Sequence, residues 1–271
     1  MAVFNVTPDS FYARSRVGLA GSQEFDERVL RAVEEGADIL DIGGESTRPG
    51  ALPVESAKEM DRVLPAIDRI RQISDVLISV DTSNPELIRE LTCDRADLIN
   101  DVRALQKEGA LAAAAASQLP VCLMHMQNSP QTMQDDPSYE SVVAEVYDFL
   151  AERKAQCIDS GIDASRVLVD PGFGFGKTDA HNLALLTELE RFKALGPVLA
   201  GLSRKSLIGR LLNRDTDERL PASVALACEA VSRGARVIRV HDVAASRDAI
   251  DMAWLVREFK IGGKFTPLNS G

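Results

Sequence analysis

Three observations in the sequence predict an α/β fold, a single (β/α)8 barrel of the TIM-barrel class. Short runs rich in β-branched and apolar residues recur eight times along 271 residues. The segments between most of them carry apolar residues at helical spacing, and no Pro/Gly/Ser-rich linker or change of composition divides the chain. A chain of 271 residues with 45% hydrophobic composition is long enough to close one such barrel around one core.

The strand runs, in order, are VFN from Val3, ADILDI from Ala37, LISVD from Leu77, DLIND from Asp97, VCLMHM from Val121, RVLVD from Arg166, PVLAGLS from Pro197 and RVIRVHD from Arg236. Phe25, Val29, Leu30 and Val33 mark the apolar stripe of the first crossover helix. Val142, Val143, Val146, Phe149 and Leu150 mark another. Gly36, Gly161, Gly196 and Gly234 stand just before the next strand, where a helix ending in left-handed backbone favours glycine. The barrel is expected to span residues 1–260, with a frayed tail over 261–271.

A formal net charge of −10 without any long Lys/Arg run argues against nucleic-acid binding and against an anionic membrane surface, since both need a positive face. No apolar run approaches transmembrane length and no signal-like segment opens the chain. Cys93, Cys122, Cys157 and Cys228 are widely spaced and form no CxxC pair. Reduced thiols in a cytoplasmic protein are the expectation, rather than a zinc site or a disulfide framework.

In a barrel of this class the site lies at the C-terminal ends of the strands. The residues there are polar: Asn5, Asp41, Asp81, Asn100 with Asp101, His125, Asp170, Ser203 with Arg204 and Lys205, then Arg239 with His241 and Asp242. The most informative stretch is VLVDPGFGFGK, from Val167 to Lys177. Its apolar strand ends in a carboxylate, Pro171 stops the ladder, and Gly172, Gly174 and Gly176 allow a flat ligand close approach. It is not a phosphate-cradling P-loop, because three residues separate Gly172 from Gly176 where that motif needs four. Taken singly, several of these residues have ordinary readings. Asp81 is as well placed to cap the following helix, Arg204 to sit in a peripheral salt bridge, and His181 to be a structural residue at a helix start.

Taken together they form two chemical groups. Asp81, Asn100 and Asp170 suit a heterocycle with adjacent N–H donors, because a carboxylate accepts two parallel N–H bonds from a guanidine-like edge. Lys205, Arg239 and His241, with Asn5, suit phosphate oxygens or a phosphate-bound metal ion.

The motifs NVTPDSF at Asn5, DIGGESTRPG at Asp41, SVDT at Ser79, IND at Ile99, PQTMQ at Pro130, DPGFGFGK at Asp170, SRKS at Ser203 and RVHDV at Arg239 resemble, in order and spacing, the dihydropteroate synthase family of the folate pathway. The resemblance implies a sulfonamide-target barrel that condenses 6-hydroxymethyl-7,8-dihydropterin diphosphate with p-aminobenzoate, releasing pyrophosphate, with Mg2+ as cofactor and a homodimer as the working form. It implies that Asp81, Asn100 and Asp170 surround the pterin, that Lys205 touches its far edge, and that Met124 or Met126 gives apolar cover. Asn5, Arg239 and His241 would hold pyrophosphate and its magnesium, with Asn5 as the metal contact. Thr47, Arg48, Pro49, Phe175 and Ser206 would form the p-aminobenzoate pocket.

The chain departs from the family in its first loop. The family commonly continues NVTPDSF with Ser-Asp-Gly-Gly, whereas this chain reads YARSR and has Ala13 in the aspartate's place. Asp9 is then the remaining acid there to stabilise a cation. A pterin-binding paralogue without synthase activity is one alternative. The pterin-binding barrel of corrinoid methyltransferases is another, disfavoured because SRKS and STRPG have no evident use in it.

Overall fold

The computed structural model describes residues 1–7, 20–46, 54–128, 132–133 and 135–259. Eight parallel strands follow the eight runs: β1 (Ala2–Asn5), β2 (Ile39–Gly43), β3 (Leu77–Asp81), β4 (Leu98–Asp101), β5 (Val121–Met124), β6 (Val167–Asp170), β7 (Leu199–Ala200) and β8 (Val237–Ile238). The first six pair in chain order and the last two pair with each other. Isolated bridges Val169↔Val198 and Ala2↔Val240 link the two sheets at both seams. The amide of Val3 donates to Val240 O and the amide of Val240 to Met1 O, both at 2.9 Å, so the ring closes between the first and last strands. Among the described strands, closure leaves no sheet edge to pair with other chains.

The helices lie outside the ring. In α1 (Gln23–Glu34), Ser22 caps the first turn through the Phe25 amide, and Phe25 and Val29 are fully buried. Leu30 is 44% exposed, against expectation, because its place on the helix turns it away from the strands. In α5 (Val142–Asp159) the expected stripe is buried at Val142, Val143, Val146 and Leu150, and Phe149 packs half-buried against it. Gly36, Gly161 and Gly234 have φ of 92°, 94° and 95°, as helix ends require. Gly196 differs: at φ 155° it follows a 3-10 turn, Leu189–Ala194, rather than an α-helix.

The apolar interior has two parts. The larger lies between strands and helices. The smaller is made by Leu98, Cys122 and Leu199, with Met1, Leu168 and Val237 packed against it, all from the strands and the N-terminus. It forms an apolar floor inside the barrel. Asn100 stands two residues beyond Leu98, and Asp170 two beyond Leu168, so the same strand faces carry polar groups toward the C-terminal mouth. No helix among the described residues is long and apolar enough to cross a membrane.

Candidate active site

The mouth is built around Asp41, a fully buried carboxylate in the middle of β2 rather than at its end, where the sequence run places it. Register places it beside Ser79 of β3, whose hydroxyl donates to Oδ1 at 2.6 Å. Asn100 Nδ2 approaches both oxygens at 3.3 and 3.4 Å. Arg239, just past β8, donates from Nε to Asp41 Oδ2 at 2.6 Å and from Nη2 to Asp81 Oδ2 at 3.0 Å. Burial works against the Arg239 cation, but the two carboxylates outweigh it and hold the guanidinium charged. Burial pushes Asp81 up to about 7, with Arg239 opposing the rise. Asp81 is thus no helix cap. That task falls to Asn84, whose side chain accepts from Glu86 N ahead of α3 (Pro85–Glu90).

Asp170 closes β6, buried, with Oδ1 accepting the Gly172 amide at 2.7 Å. Burial raises its pKa, while the Gly172 bond and Lys205 lower it. The turn at Gly172 admits no other residue: φ is 72°, and an added Cβ would stand 1.9 Å from His125 O. The loop then returns Lys177 to the interior. Its Nζ lies 2.9 Å from His125 Nδ1 and donates to Phe175 O at 2.9 Å and to His125 O at 3.3 Å. Burial pulls Lys177 down to about 7 and His125 to about 2, so the imidazole is neutral and accepts. The ends of β5 and β6 are thereby tied together. Lys205 lies over Gly174 with Nζ 4.2 Å from the Phe175 ring centroid, and burial, followed by repulsion from Arg239, brings its pKa to about 8.

Arg204 is not peripheral. Only 3% exposed, it grips Asp242 with Nε to Oδ2 at 2.8 Å and Nη2 to Oδ1 at 2.7 Å, joining the loops after β7 and β8. Ser203 and His241 are flanked by that clamp and bonded to each other. Ser206 opens α7 (Ser206–Leu212), exposed and bonded to Arg210. His181 is structural, as expected, completing a capping box with Thr178 at α6 (Asp179–Thr187).

The fold therefore brings Asp81, Asn100, Asp170, Lys205 and Arg239 into one mouth, with Phe175 and Ser206 beside Lys205. Met124 and Met126 line a hollow of about 400 Å³ with Glu45, Val102 and Arg103. Asn5 Oδ1 lies over Gly43 next to Asp81, 3.0 Å from where a Gly43 Cβ would stand. Asp9, Ala13, Thr47, Arg48 and Pro49 lie outside the described residues.

Asp41 as the hub, Lys177 and Glu59 escaped the sequence reading. Glu59, in α2 (Ser56–Ile73), is 2% exposed and accepts from Thr82 Oγ1 at 2.6 Å, beside Asp81. It shares a stripe with Val63, Ala66, Ile67 and Ile70, so its burial was legible from helical spacing.

Among the described residues no three His, Cys, Asp or Glu side chains gather as a metal cluster. Asn5 beside the Asp81 carboxylate suits a hard cation that brings water and phosphate oxygens as most of its ligands, not one held in an all-protein cage.

A family model described as pterin binding enzyme matches residues 1–241. The dihydropteroate synthase of Escherichia coli (strain K12) is 48% identical over 252 residues, which cover 92% of this chain and 88% of that one. That of Haemophilus influenzae is 47% identical over 251 residues, 92% of this chain and 90% of its own. A crystal structure of the Yersinia pestis enzyme with a sulfonamide drug superposes with a TM-score of 0.91 at 43% identity, covering 95% of this chain and 94% of that one. The Xanthomonas albilineans enzyme in complex with 7,8-dihydropteroate gives 0.80 at 42% identity, with 96% and 93% covered.

Proposed function

Because this chain belongs to the dihydropteroate synthases, within the pterin-binding enzyme family, we propose that its barrel mouth joins 6-hydroxymethyl-7,8-dihydropterin diphosphate to p-aminobenzoate, giving 7,8-dihydropteroate and pyrophosphate. Membership makes it a transferase of folate biosynthesis and a sulfonamide target. The observation that carries the substrate assignment is the gathering of Asp81, Asn100 and Asp170 at the ends of β3, β4 and β6, on one side of the barrel mouth, with Lys205 and Arg239 beside them. Carboxylates there accept from the pterin's N–H edge, and Asp41 keeps Arg239 turned into the same mouth.

In this reading Met124 and Met126 cover the ring. Arg239 has committed Nε and Nη2 to carboxylates, which leaves Nη1 for a diphosphate oxygen. His241 and Asn5 meet the same group. Phe175 and Ser206, with Thr47, Arg48 and Pro49, form the p-aminobenzoate pocket. The C–O bond at the pterin methylene breaks with its electron pair leaving on pyrophosphate. The amine lone pair of p-aminobenzoate then forms the C–N bond and the nitrogen releases a proton. The protein supplies no nucleophile: Asp170 and Asp81, with Asp9 from the first loop, favour the cationic carbon, and positioning of the two reactants does the rest. Mg2+, held at Asn5 with the diphosphate, would neutralise charge on the leaving group.

The same reading places the enzyme in the cytoplasm as a homodimer, for which exposed Leu211, Leu212, Met252 and Val256 offer apolar surface. A coupled pyrophosphate-release assay tests the reaction. Release is expected only when both substrates are present, with dihydropteroate detected by mass. Binding of the pterin diphosphate without any release would favour the inactive paralogue, to which Ala13 points.

A further inference from the structure

Ser203 follows β7 and is 8% exposed. Its Oγ accepts the His241 amide at 3.2 Å and lies 3.0 Å from His241 Nδ1. A hydroxyl has one proton and two lone pairs, and the amide takes one lone pair. Among the described residues nothing else bonds this hydroxyl, so Nδ1 is the one acceptor they offer its proton. Were Nδ1 to carry the hydrogen instead, the buried Ser203 O–H would be left without an acceptor. The distance is braced independently, since Arg204 and Asp242, the residues next in sequence to Ser203 and His241, form the bidentate pair between the same two loops.

We propose that Ser203 is a positioning residue that locks neutral His241 as the Nε2–H tautomer, so that the ring offers the diphosphate a donor rather than a lone pair. The inference rests on the reading that His241 meets the diphosphate. Phosphate oxygens only accept, so the opposite tautomer would set lone pair against lone pair. Burial, followed by repulsion from Arg239, takes the His241 pKa down to about 3, so protonation does not erase the choice near neutrality.

The chain has only three histidines, His125, His181 and His241, which makes ¹⁵N-histidine NMR readable site by site, with His181→Gln and His241→Ala to assign the signals. In the ligand-free wild type at neutral pH, His241 Nε2 should show the shift of a protonated ring nitrogen and Nδ1 that of an unprotonated one. Ser203→Ala should mix the two forms and weaken pyrophosphate binding roughly tenfold, about one lost hydrogen bond to a charged group. Ser203→Thr should restore both. Unchanged binding of a phosphate-free pterin shows that the variant is folded, and the wild-type spectrum decides even if it is not. An Nδ1-protonated His241 in the wild type, or a Ser203→Ala spectrum identical to wild type, overturns the inference. A His241→Ala protein that binds pyrophosphate as tightly as wild type overturns instead the reading on which it rests.

Discussion

Arg239 Nε donates to Asp41 Oδ2 at 2.6 Å across 198 residues of sequence, tying the end of the last strand to the second strand over the top of the first. Asp41 is fully buried, so the pair works in a medium where removing one partner leaves an uncompensated charge. Asp41→Asn should therefore lower stability by on the order of 3 kcal/mol, read as a reduced urea midpoint at unchanged slope. A midpoint equal to wild type would mean that Asp81 alone holds the guanidinium.

Arg239→Lys keeps the charge but loses the planar fork that spans Asp41 and Asp81 and leaves a third nitrogen for the proposed phosphate contact. Pyrophosphate affinity should fall by roughly tenfold or more, about 1.5 kcal/mol, with a smaller loss for a phosphate-free pterin. Isothermal titration of both ligands checks this; equal losses would place Arg239 at the ring instead.

Asp170 has one oxygen occupied by the Gly172 amide, which leaves the other for the proposed pterin contact. In Asp170→Asn the amide oxygen would keep the Gly172 bond and turn NH2 toward the pterin's own donors. Pterin binding should weaken by about 2–4 kcal/mol, with little effect on p-aminobenzoate. Calorimetry showing an unchanged affinity for the pterin diphosphate would defeat the assignment.

Lys205 in the free enzyme has its pKa drawn down to about 8, by burial first and Arg239 second. The ammonium is the form that donates. The proposed contact with the pterin is complete well below pH 8 and is lost as pH rises through it, so kcat/KM should fall on the alkaline side with an apparent pKa near 8. Lys205→Arg should carry that limb beyond the measurable range. Retention of the limb in the variant would assign it to another group.

Two left-handed glycines provide a matched comparison of crowding against backbone cost. Gly161→Ala, with φ 94° and nothing within 4 Å of the new methyl, should cost about 1–2 kcal/mol. Gly172→Ala drives its methyl to 1.9 Å from His125 O, so the loop must move and the Asp170 contact with it. A much larger stability loss, together with impaired pterin binding, is the expected result. Equal urea midpoints for the two variants would show that the β6 loop yields easily.

Much of this was legible in the chain itself. Eight apolar runs alternating with helical stripes can satisfy their backbone and bury both strand faces only as parallel strands covered by helices. Asn5, Asp81, Asn100 and Asp170 stand at the run ends by covalent position alone, and so reach the mouth however the rest packs. What stayed out of sight are the pairings that choose between capping, bracing and binding. Asp81 reads equally well as a helix cap until Arg239 is seen 3.0 Å away, 158 residues on, and Arg204 reads as a surface charge until Asp242 closes on it. Lys177 looks like the tail of a glycine loop until the positive φ of Gly172 and Gly176 swings it under His125. These outcomes depend on distance and burial between strands far apart in sequence. Local propensity carries neither quantity; the closed barrel supplies both, by removing water from charges whose partners only the ring brings within reach.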